Sequence, residues 1–244
     1  MNRVTFTLVL SLLMLLGCTS ARVTAEELAA QKAIYDRETK SIIDNEGASR
    51  VDHGLAQISS EDLSKSGYVR MVAWKGGQAV RDYYSAPGKL DTLDSKYLTW
   101  VTKASQLEAM MAKLKLHKKS GQSLALRLEQ LLGLPPAADT TRAFLVLHVK
   151  PEDLFRPCRD PEVNDCECIP NFPEGAYSPE NVSYQPIYEG IIGATKGFPW
   201  TRMGYTFDWN SKNPTHFGMS EYVIRQGAVV EIVSKTPTEA WIPR

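Results

Sequence analysis

The stretch that most constrains this chain runs from residue 155 to residue 168 and reads FRPCRDPEVNDCEC. It holds three of the four cysteines and follows the apolar run from Ala143 to Val149, which is typical of a buried strand. Its two prolines and four acidic residues predict an irregular loop. We therefore expect cysteine pairing to fix the shape of this loop, as a disulfide staple within the fold.

The N-terminus has the features of an export signal. Arg3 supplies a positive charge, and the apolar run from Thr5 to Leu16 is too short to span a bilayer. The run ends in Leu-Leu-Gly followed by Cys18, which resembles the lipobox of bacterial lipoproteins. The alternative is an ordinary cleaved signal peptide with an incidental cysteine.

The lipobox resemblance implies where the mature protein resides. It implies cleavage after residue 17 and acyl chains on Cys18, and two or more such chains anchor a protein stably to a membrane. Thr19 stands where an inner-membrane retention signal would typically show Asp, so the same resemblance implies the outer membrane. The expected location is the cell envelope, with the body facing the periplasm or the cell surface.

The mature chain divides into two parts in this prediction. Residues 18–66 form a tether and N-terminal helix region after the signal peptide of residues 1–17, and residues 67–244 form a single globular domain. Thr24 and Glu27 have the spacing of a capping box, which predicts a helix from there to about residue 45. Leu28, Tyr35 and Ile42 give this helix a narrow apolar stripe that favours packing of one edge on the body, with a coiled-coil partner as the alternative.

Hydrophobic periodicity places further elements along the body. Residues 68–84 alternate on both sides of Gly76-Gly77 and predict a hairpin with a tight turn there. Helices are predicted from Ser105 and from Ser123, the second ending at Gly133 before two prolines. Other predicted strands span residues 97–101, 184–188, 201–209, 215–225 and 228–233, with a final hairpin across residues 226–227.

These elements together predict the fold class. About two to three helices lie among six to eight strands without βαβ alternation, which indicates an α+β fold with a mixed or antiparallel sheet.

The three body cysteines allow more than one arrangement. An exported protein keeps its disulfides, and we expect Cys158 to pair with Cys166, with Cys168 as the alternative partner. A bridge between Cys166 and Cys168 would close a strained ring. A zinc site that combines the three cysteines with a histidine at position 117, 148 or 216 is the sharper hypothesis, but Cys-x-Cys is tighter than zinc knuckles prefer. We therefore predict a disulfide and no metal.

Four polar residues near the aromatic strands are candidate site residues. Arg202 and Asp208 share one face of the predicted 201–209 strand, and His216 and Glu221 belong to the next strand. Because Glu221 would lie in an apolar row, its carboxylate needs a cation or a hydrogen-bond donor, and Arg202 is the expected partner. Ordinary cross-strand ion pairs on a solvated sheet face are the alternative.

One resemblance gives Glu221 a chemical role. Residues 220–224, then Gly227, then an apolar strand from Val230 to Val233 resemble the closing hairpin of ADP-ribosyltransferase-like folds. The resemblance implies that Glu221 orients the ribose of NAD, with the strand at residues 97–101 as the opening strand. The expected Arg or His of that strand is replaced by Thr99-Trp100, and the residue two before Glu221 is Met219.

Charge and motifs limit the remaining classes. The net charge is zero, so nucleic acid is not an expected partner, and no nucleotide-binding or cofactor signature is present, so no cofactor is predicted. The leading hypothesis is a non-catalytic, membrane-anchored envelope module that binds another protein, a glycan or a cell-wall component. The alternative is an enzyme whose site lies between residues 155–168 and 201–233.

Overall fold

The structure is a computed structural model that describes residues 23–43, 54–93, 98–172 and 184–242. These residues form an α+β fold, which confirms the predicted class. The helices are α1 (Ala25–Ile43), α2 (Gly77–Asp82), α3 (Ala104–Lys113), α4 (Gly121–Leu131), α5 (Tyr184–Ala194) and α6 (Thr238–Trp241). The strands are β1 (Val69–Lys75), β2 (Leu90–Thr92), β3 (Thr99–Lys103), β4 (Ala143–Val149), β5 (Leu154–Phe155), β6 (Tyr205–Phe207), β7 (Phe217–Ser220), β8 (Tyr222–Ile224) and β9 (Val229–Pro237).

The main sheet has seven strands in the order β2-β9-β4-β1-β3-β8-β5, all paired antiparallel. Only residues 225–228 connect β8 to β9, although the two strands lie four positions apart in the sheet. A flat sheet would separate them by about 19 Å, whereas the five residue-to-residue steps from Ile224 to Val229 span at most about 17 Å. The sheet is therefore strongly curved, which brings β8 toward β9.

Each face of the sheet buries its own core. Successive side chains of β1 alternate between the two, so Met71 enters one core and Val72 the other. Helices α3 and α4 cover the second core with Leu107, Leu124 and Leu128, each no more than 1% exposed. Strand β4 contributes to both cores and pairs with β1 and β9 on its two sides, which explains its uninterrupted apolar sequence.

The locally encoded helices form as predicted. At the start of α1 the Thr24 hydroxyl accepts the N–H of Glu27 (3.1 Å), and the Glu27 carboxylate accepts the N–H of Thr24 (2.7 Å). The Tyr35 ring of α1 packs edge-on against Trp209 with 5.5 Å between ring centroids, so α1 docks one edge on the body. Gly133 follows α4 with a φ of 69°, as the left-handed stop requires.

The predicted hairpin at Gly76-Gly77 is wrong. Neither glycine has a positive φ, and α2 begins at Gly77 instead of a returning strand. A Cβ at Gly77 would overlap the carbonyl oxygen of Thr141, so this glycine permits close backbone packing rather than a tight turn. Strand β1 pairs with β3 and β4, which come later in the chain.

The strand predicted at residues 184–188 is also wrong, because this segment belongs to helix α5. The side chains of Tyr188 and Ile191, one helical turn apart, are buried beside Phe155 and Trp200. Contacts with distant residues therefore decide the conformation of a segment whose local sequence is ambiguous.

The long strands predicted at residues 201–209 and 215–225 are shorter than expected. Positive φ angles at Arg202 (58°) and Gly204 (75°) turn the chain, so β6 begins only at residue 205. The second strand is interrupted at Glu221 between β7 and β8. The predicted final hairpin does not form, because β8 pairs with β3 and β5 while β9 pairs with β4 and β2.

No helix in the described part of the chain has the length and apolar character needed to cross a bilayer. The predicted signal peptide and lipobox, residues 1–18, lie outside the described residues.

Candidate functional site

The cysteine loop is stapled, but with a different partner than expected. Cys158 is bonded to Cys168, with 6.6 Å between the two Cα atoms, and Cys166 is free and exposed. Both bonded cysteines are fully buried beside Met203 and Tyr205, whereas the peptide at Cys166 is held at the loop surface, where its carbonyl accepts the N–H of Leu55 (3.0 Å). The preference for Cys158–Cys166 is corrected because burial, and not loop length, selects the partner.

The same bond bears on the zinc hypothesis. Two of the three cysteines share a disulfide and so offer no thiolate to a metal. His216 lies elsewhere, with its ring stacked on Phe207 at 4.7 Å between centroids. His148 is beside Glu231 (2.9 Å).

Asp208, the first of the four candidate site residues, has a structural role. Its two carboxylate oxygens accept hydrogen bonds from the Arg127 guanidinium at 3.1 and 2.8 Å. The amide of Asn213 and the backbone N–H of Asn210 donate to the same carboxylate. The side chain is 2% exposed and its acceptors are in use, so it is not presented to a ligand.

His216 and Arg202 are likewise held by protein contacts. His216 Nδ1 lies 2.9 Å from the Asp208 carbonyl oxygen, and its Nε2 lies 3.6 Å from a carboxylate oxygen of Glu38. The Arg202 guanidinium lies 5.3 Å from the Trp200 ring centroid. The turn at Arg202 places this residue outside strand β6, and the expected ion pair between Arg202 and Glu221 does not form. The backbone N–H of Glu221 donates to the Gly204 carbonyl (3.0 Å).

Glu221, the fourth candidate, is the one that faces a cavity. The cavity has a volume of about 300 Å³, and we call it the Glu221 cavity. Its lining comes from β1 and β3, from Leu107, from the end of α4, from the segment that follows α5, and from β6 and Glu221. The lining residues are Val72, Ala73, Trp74, Trp100, Val101, Thr102, Leu107, Leu132, Gly133, Leu134, Thr195, Phe198, Pro199, Trp200, Thr206, Phe207 and Glu221.

The Glu221 carboxyl is unusual in its surroundings. The residue is 8% exposed, and burial raises the pKa of its carboxyl to about 8, with no hydrogen bond or neighbouring charge contributing to that pKa. A carboxyl in this environment is mostly protonated at neutral pH and can either donate a hydrogen bond or give up its proton to accommodate a positive charge.

Most of the remaining lining is apolar or already hydrogen-bonded. Trp74 donates its ring N–H to Thr238 (2.9 Å) and Trp200 donates its own to the Pro157 carbonyl (3.0 Å), both outside the cavity. The hydroxyls of the three lining threonines, Thr102, Thr195 and Thr206, donate to Gln106, Ile191 and Leu131. Among the described lining side chains, the Glu221 carboxyl and the ring N–H of Trp100 therefore remain as polar groups without a hydrogen bond.

The sequence identified only part of this site. It singled out Glu221, and it placed the candidate site between residues 155–168 and 201–233. Loop 155–168 takes part indirectly, through the Pro157 carbonyl that holds Trp200. Trp74, Phe198 and the end of α4 were missed, because only the folded sheet brings them beside Glu221 and no local motif marks them.

Comparison of the chain with protein family models, with curated proteins and with solved structures found no match. The functional argument therefore depends on the geometry of the site itself.

Proposed function

We propose that the mature chain is a lipid-anchored, non-catalytic binding protein of the cell envelope, and that its ligand site is the Glu221 cavity. The observation that supports this proposal is a cavity of about 300 Å³ with aromatic walls and one unpaired, buried carboxyl. Concave, mostly apolar sites with a few fixed polar groups are the usual form of small-molecule sites. An envelope protein, a glycan or a cell-wall component is the wider class of partner, and the cavity would receive a small group from it.

The positions of the other candidates favour binding over catalysis. An acid–base or nucleophilic mechanism needs several polar groups that converge on the reacting atoms. Asp208 is saturated by Arg127 and its neighbours, and His216 is stacked on Phe207. Neither is among the cavity's lining residues, so Glu221 acts there without them.

The cavity is tested with N-phenyl-1-naphthylamine, a neutral probe whose emission rises in apolar sites. We expect Leu134→Trp, which fills the cavity, to abolish probe binding, and Phe198→Ala, which removes part of a wall, to weaken it several-fold. Tyr83→Ala is the matched control, because this aromatic ring is 79% exposed and lies outside the lining. Emission that is absent from the wild type, or unchanged in Leu134→Trp, would overturn the site assignment.

The membrane anchor is tested separately, since it is proposed from Cys18 in the lipobox-like segment. Cys18→Ala is expected to release the protein from the membrane fraction, because acyl chains are the proposed attachment. Mass spectrometry of the N-terminal peptide should show acylation of Cys18 in the wild type. A Cys18→Ala variant that stays in the membrane after high-salt washing would contradict the anchor.

An enzyme remains the second candidate, because a buried acid with a raised pKa in a cavity is also a catalytic pattern. In the ADP-ribosyltransferase-like version, Glu221 acts on NAD and the β3 residue Trp100 lines the same cavity. That version expects wild-type protein to hydrolyse NAD, and Glu221→Gln to abolish turnover with little change in melting temperature at pH 6. Our proposal expects no NAD hydrolysis by either protein.

A further inference from the structure

The ionisable groups in and around the Glu221 cavity bear on the charge of its ligand. Glu221 is the one ionisable side chain among the lining residues, and its carboxyl has no partner in the described part of the chain. Two arginines stand on segments that adjoin Glu221 and its neighbours. Arg156 packs beneath Gly204 and donates to the carbonyls of Glu162 and Asp165, and Arg202 lies over Trp200. Neither arginine contributes to the pKa of Glu221, so no cation in the described structure is paired with this carboxyl.

The walls of the cavity also favour positive charge. Three tryptophans and two phenylalanines line it, and the face of an aromatic ring attracts cations, most strongly in tryptophan. The rings of Trp74 and Trp200 already have the guanidinium groups of Arg142 and Arg202 over them, 4.9 and 5.3 Å from the ring centroids, so Trp100 is the lining tryptophan with no described cation over its ring. Trp100 is half-buried and lies edge-on to Trp200, with 6.4 Å between ring centroids and an angle of 81°. The two rings thus present differently oriented surfaces to the same space. An anion would be repelled by an ionised carboxyl.

We propose that the cavity binds an organic ammonium ion, whose charge lies against the Glu221 carboxylate and the Trp100 ring and whose apolar groups fill the remaining space. This inference rests on the proposed binding function and names the ligand class of that site. The hydroxyls of the lining threonines already donate to protein groups, which leaves the carboxylate to select the ligand.

Cation binding requires Glu221 to release its proton to the solvent. With a pKa of about 8, about nine in ten carboxyls are protonated at pH 7, so this release weakens binding by about tenfold at that pH. As the pH increases toward 8, the affinity for a cation should rise by about tenfold per pH unit, and above about pH 9 the affinity should be constant. The attraction between the ammonium group and the adjacent carboxylate offsets the cost of deprotonation.

The experiment uses the full mature protein and two probes of nearly the same shape, phenyltrimethylammonium and its neutral counterpart tert-butylbenzene. Affinities are measured by tryptophan fluorescence at pH 6, 7, 8 and 9. Calorimetry in two buffers of different ionisation enthalpy counts the protons released. We expect the cation to bind more tightly than the neutral probe at pH 8, and to release close to one proton at pH 7.

Variants identify the carboxyl responsible. Glu221→Gln should weaken phenyltrimethylammonium binding by at least about thirtyfold at pH 8 and leave tert-butylbenzene binding within about twofold, because only the charge is removed. Glu61→Gln makes the same change at an exposed acid and should alter neither affinity. Proton release by the wild type provides a readout that does not depend on how well a variant folds.

The outcomes separate the two proposals. If tert-butylbenzene binds as tightly as the cation, or if the cation binds without proton release, the ammonium inference is overturned and the binding function stands. If neither probe binds, the proposed binding function itself is overturned.

Discussion

Asp208 and Glu221 are both carboxyl groups buried in the same part of the chain, 1% and 8% exposed, but their surroundings differ. Asp208 has an arginine, an amide and a backbone N–H directed at its oxygens. Glu221 has none of these in the described structure, and it faces a cavity. Glu129, a third buried acid, behaves like Asp208 and accepts the N–H groups of residues 137, 138 and 139.

This difference separates a structural acid from a functional one. Burying a charge is costly unless it is paired, so folded proteins surround a structural carboxylate with donors. A carboxyl left without partners beside empty space lowers stability and is retained where it serves a ligand. The contrast makes predictions about both residues.

The largest effect is expected for Asp208→Ala. The substitution leaves the Arg127 guanidinium, 11% exposed, without its counter-charge and should lower the free energy of unfolding by about 3–5 kcal/mol. Urea denaturation measures the change. Asp36→Ala is the control, because its ion pair with Lys32 is more than half exposed and should contribute little. A loss below about 1 kcal/mol for Asp208→Ala would contradict a structural role.

Removing the Cys158–Cys168 bridge should have the next largest effect. The double substitution to serine should lower the free energy of unfolding by about 2–3 kcal/mol, because the bridge closes a short loop. It should also loosen the cavity wall, since the neighbouring Pro157 carbonyl holds Trp200, and leave the Arg127–Asp208 pair intact. Cys166→Ser is the matched control. Peptide mapping without reductant checks the pairing, and a Cys158–Cys166 linkage would refute it.

Glu221→Gln should change how stability depends on pH. Burial raises the pKa of Glu221 from 4.5 in the unfolded chain to about 8 in the folded one, so the folded protein holds this proton more tightly between those values. The stabilisation is complete below pH 4.5 and is lost as the pH rises through 8. Between pH 6 and 8 the wild type should lose about 2 kcal/mol relative to Glu221→Gln in urea denaturation. The contributions of other titrating groups cancel in the difference between the wild type and Glu221→Gln. If the unfolding free energies of the two proteins depend on pH in the same way, Glu221 is not an unpaired buried carboxyl.

The smallest effect is expected for Glu38→Gln, which removes the partner of His216. The two side chains are 20% and 27% exposed, and a carboxylate oxygen of Glu38 lies 3.6 Å from His216 Nε2, so solvent weakens this contact. We expect thermal unfolding to show a loss below about 1 kcal/mol. A loss as large as that of Asp208→Ala would mean that His216 belongs to the same structural group.

The sequence predicted best where structure is encoded by neighbouring residues. The capping box of Thr24 and Glu27 and the stop at Gly133 lie within one turn of the helices they bound, and both form as expected. Residues 143–149 form a strand buried on both faces, as their apolar run predicts. The α+β class follows from counting such elements.

The site depended on more distant relations. Glu221 could be singled out from the sequence because a carboxyl in an apolar row requires a hydrogen-bond donor or a cation. Its expected partner Arg202 is turned away by positive φ angles, which the sequence did not predict. Cys158 and Cys168 were both visible, and only burial beside Met203 decided their pairing. Gly77 was wrongly interpreted as a turn residue. Its close approach to Thr141 is a contact between residues far apart in the chain, and no local sequence pattern indicates it.

By itself, the sequence determined the α+β class and the stapled loop, because capping, periodicity and composition act between residues that are close along the chain. The tertiary structure alone decided which acid is paired and which is left facing a cavity. The fold places β8 beside β3 and the end of α4 beside β6. The pairing and burial of each carboxyl depend on these contacts between residues far apart in the chain. Glu221 and Asp208 are the same chemical group in the sequence, and only their neighbours in the fold distinguish them.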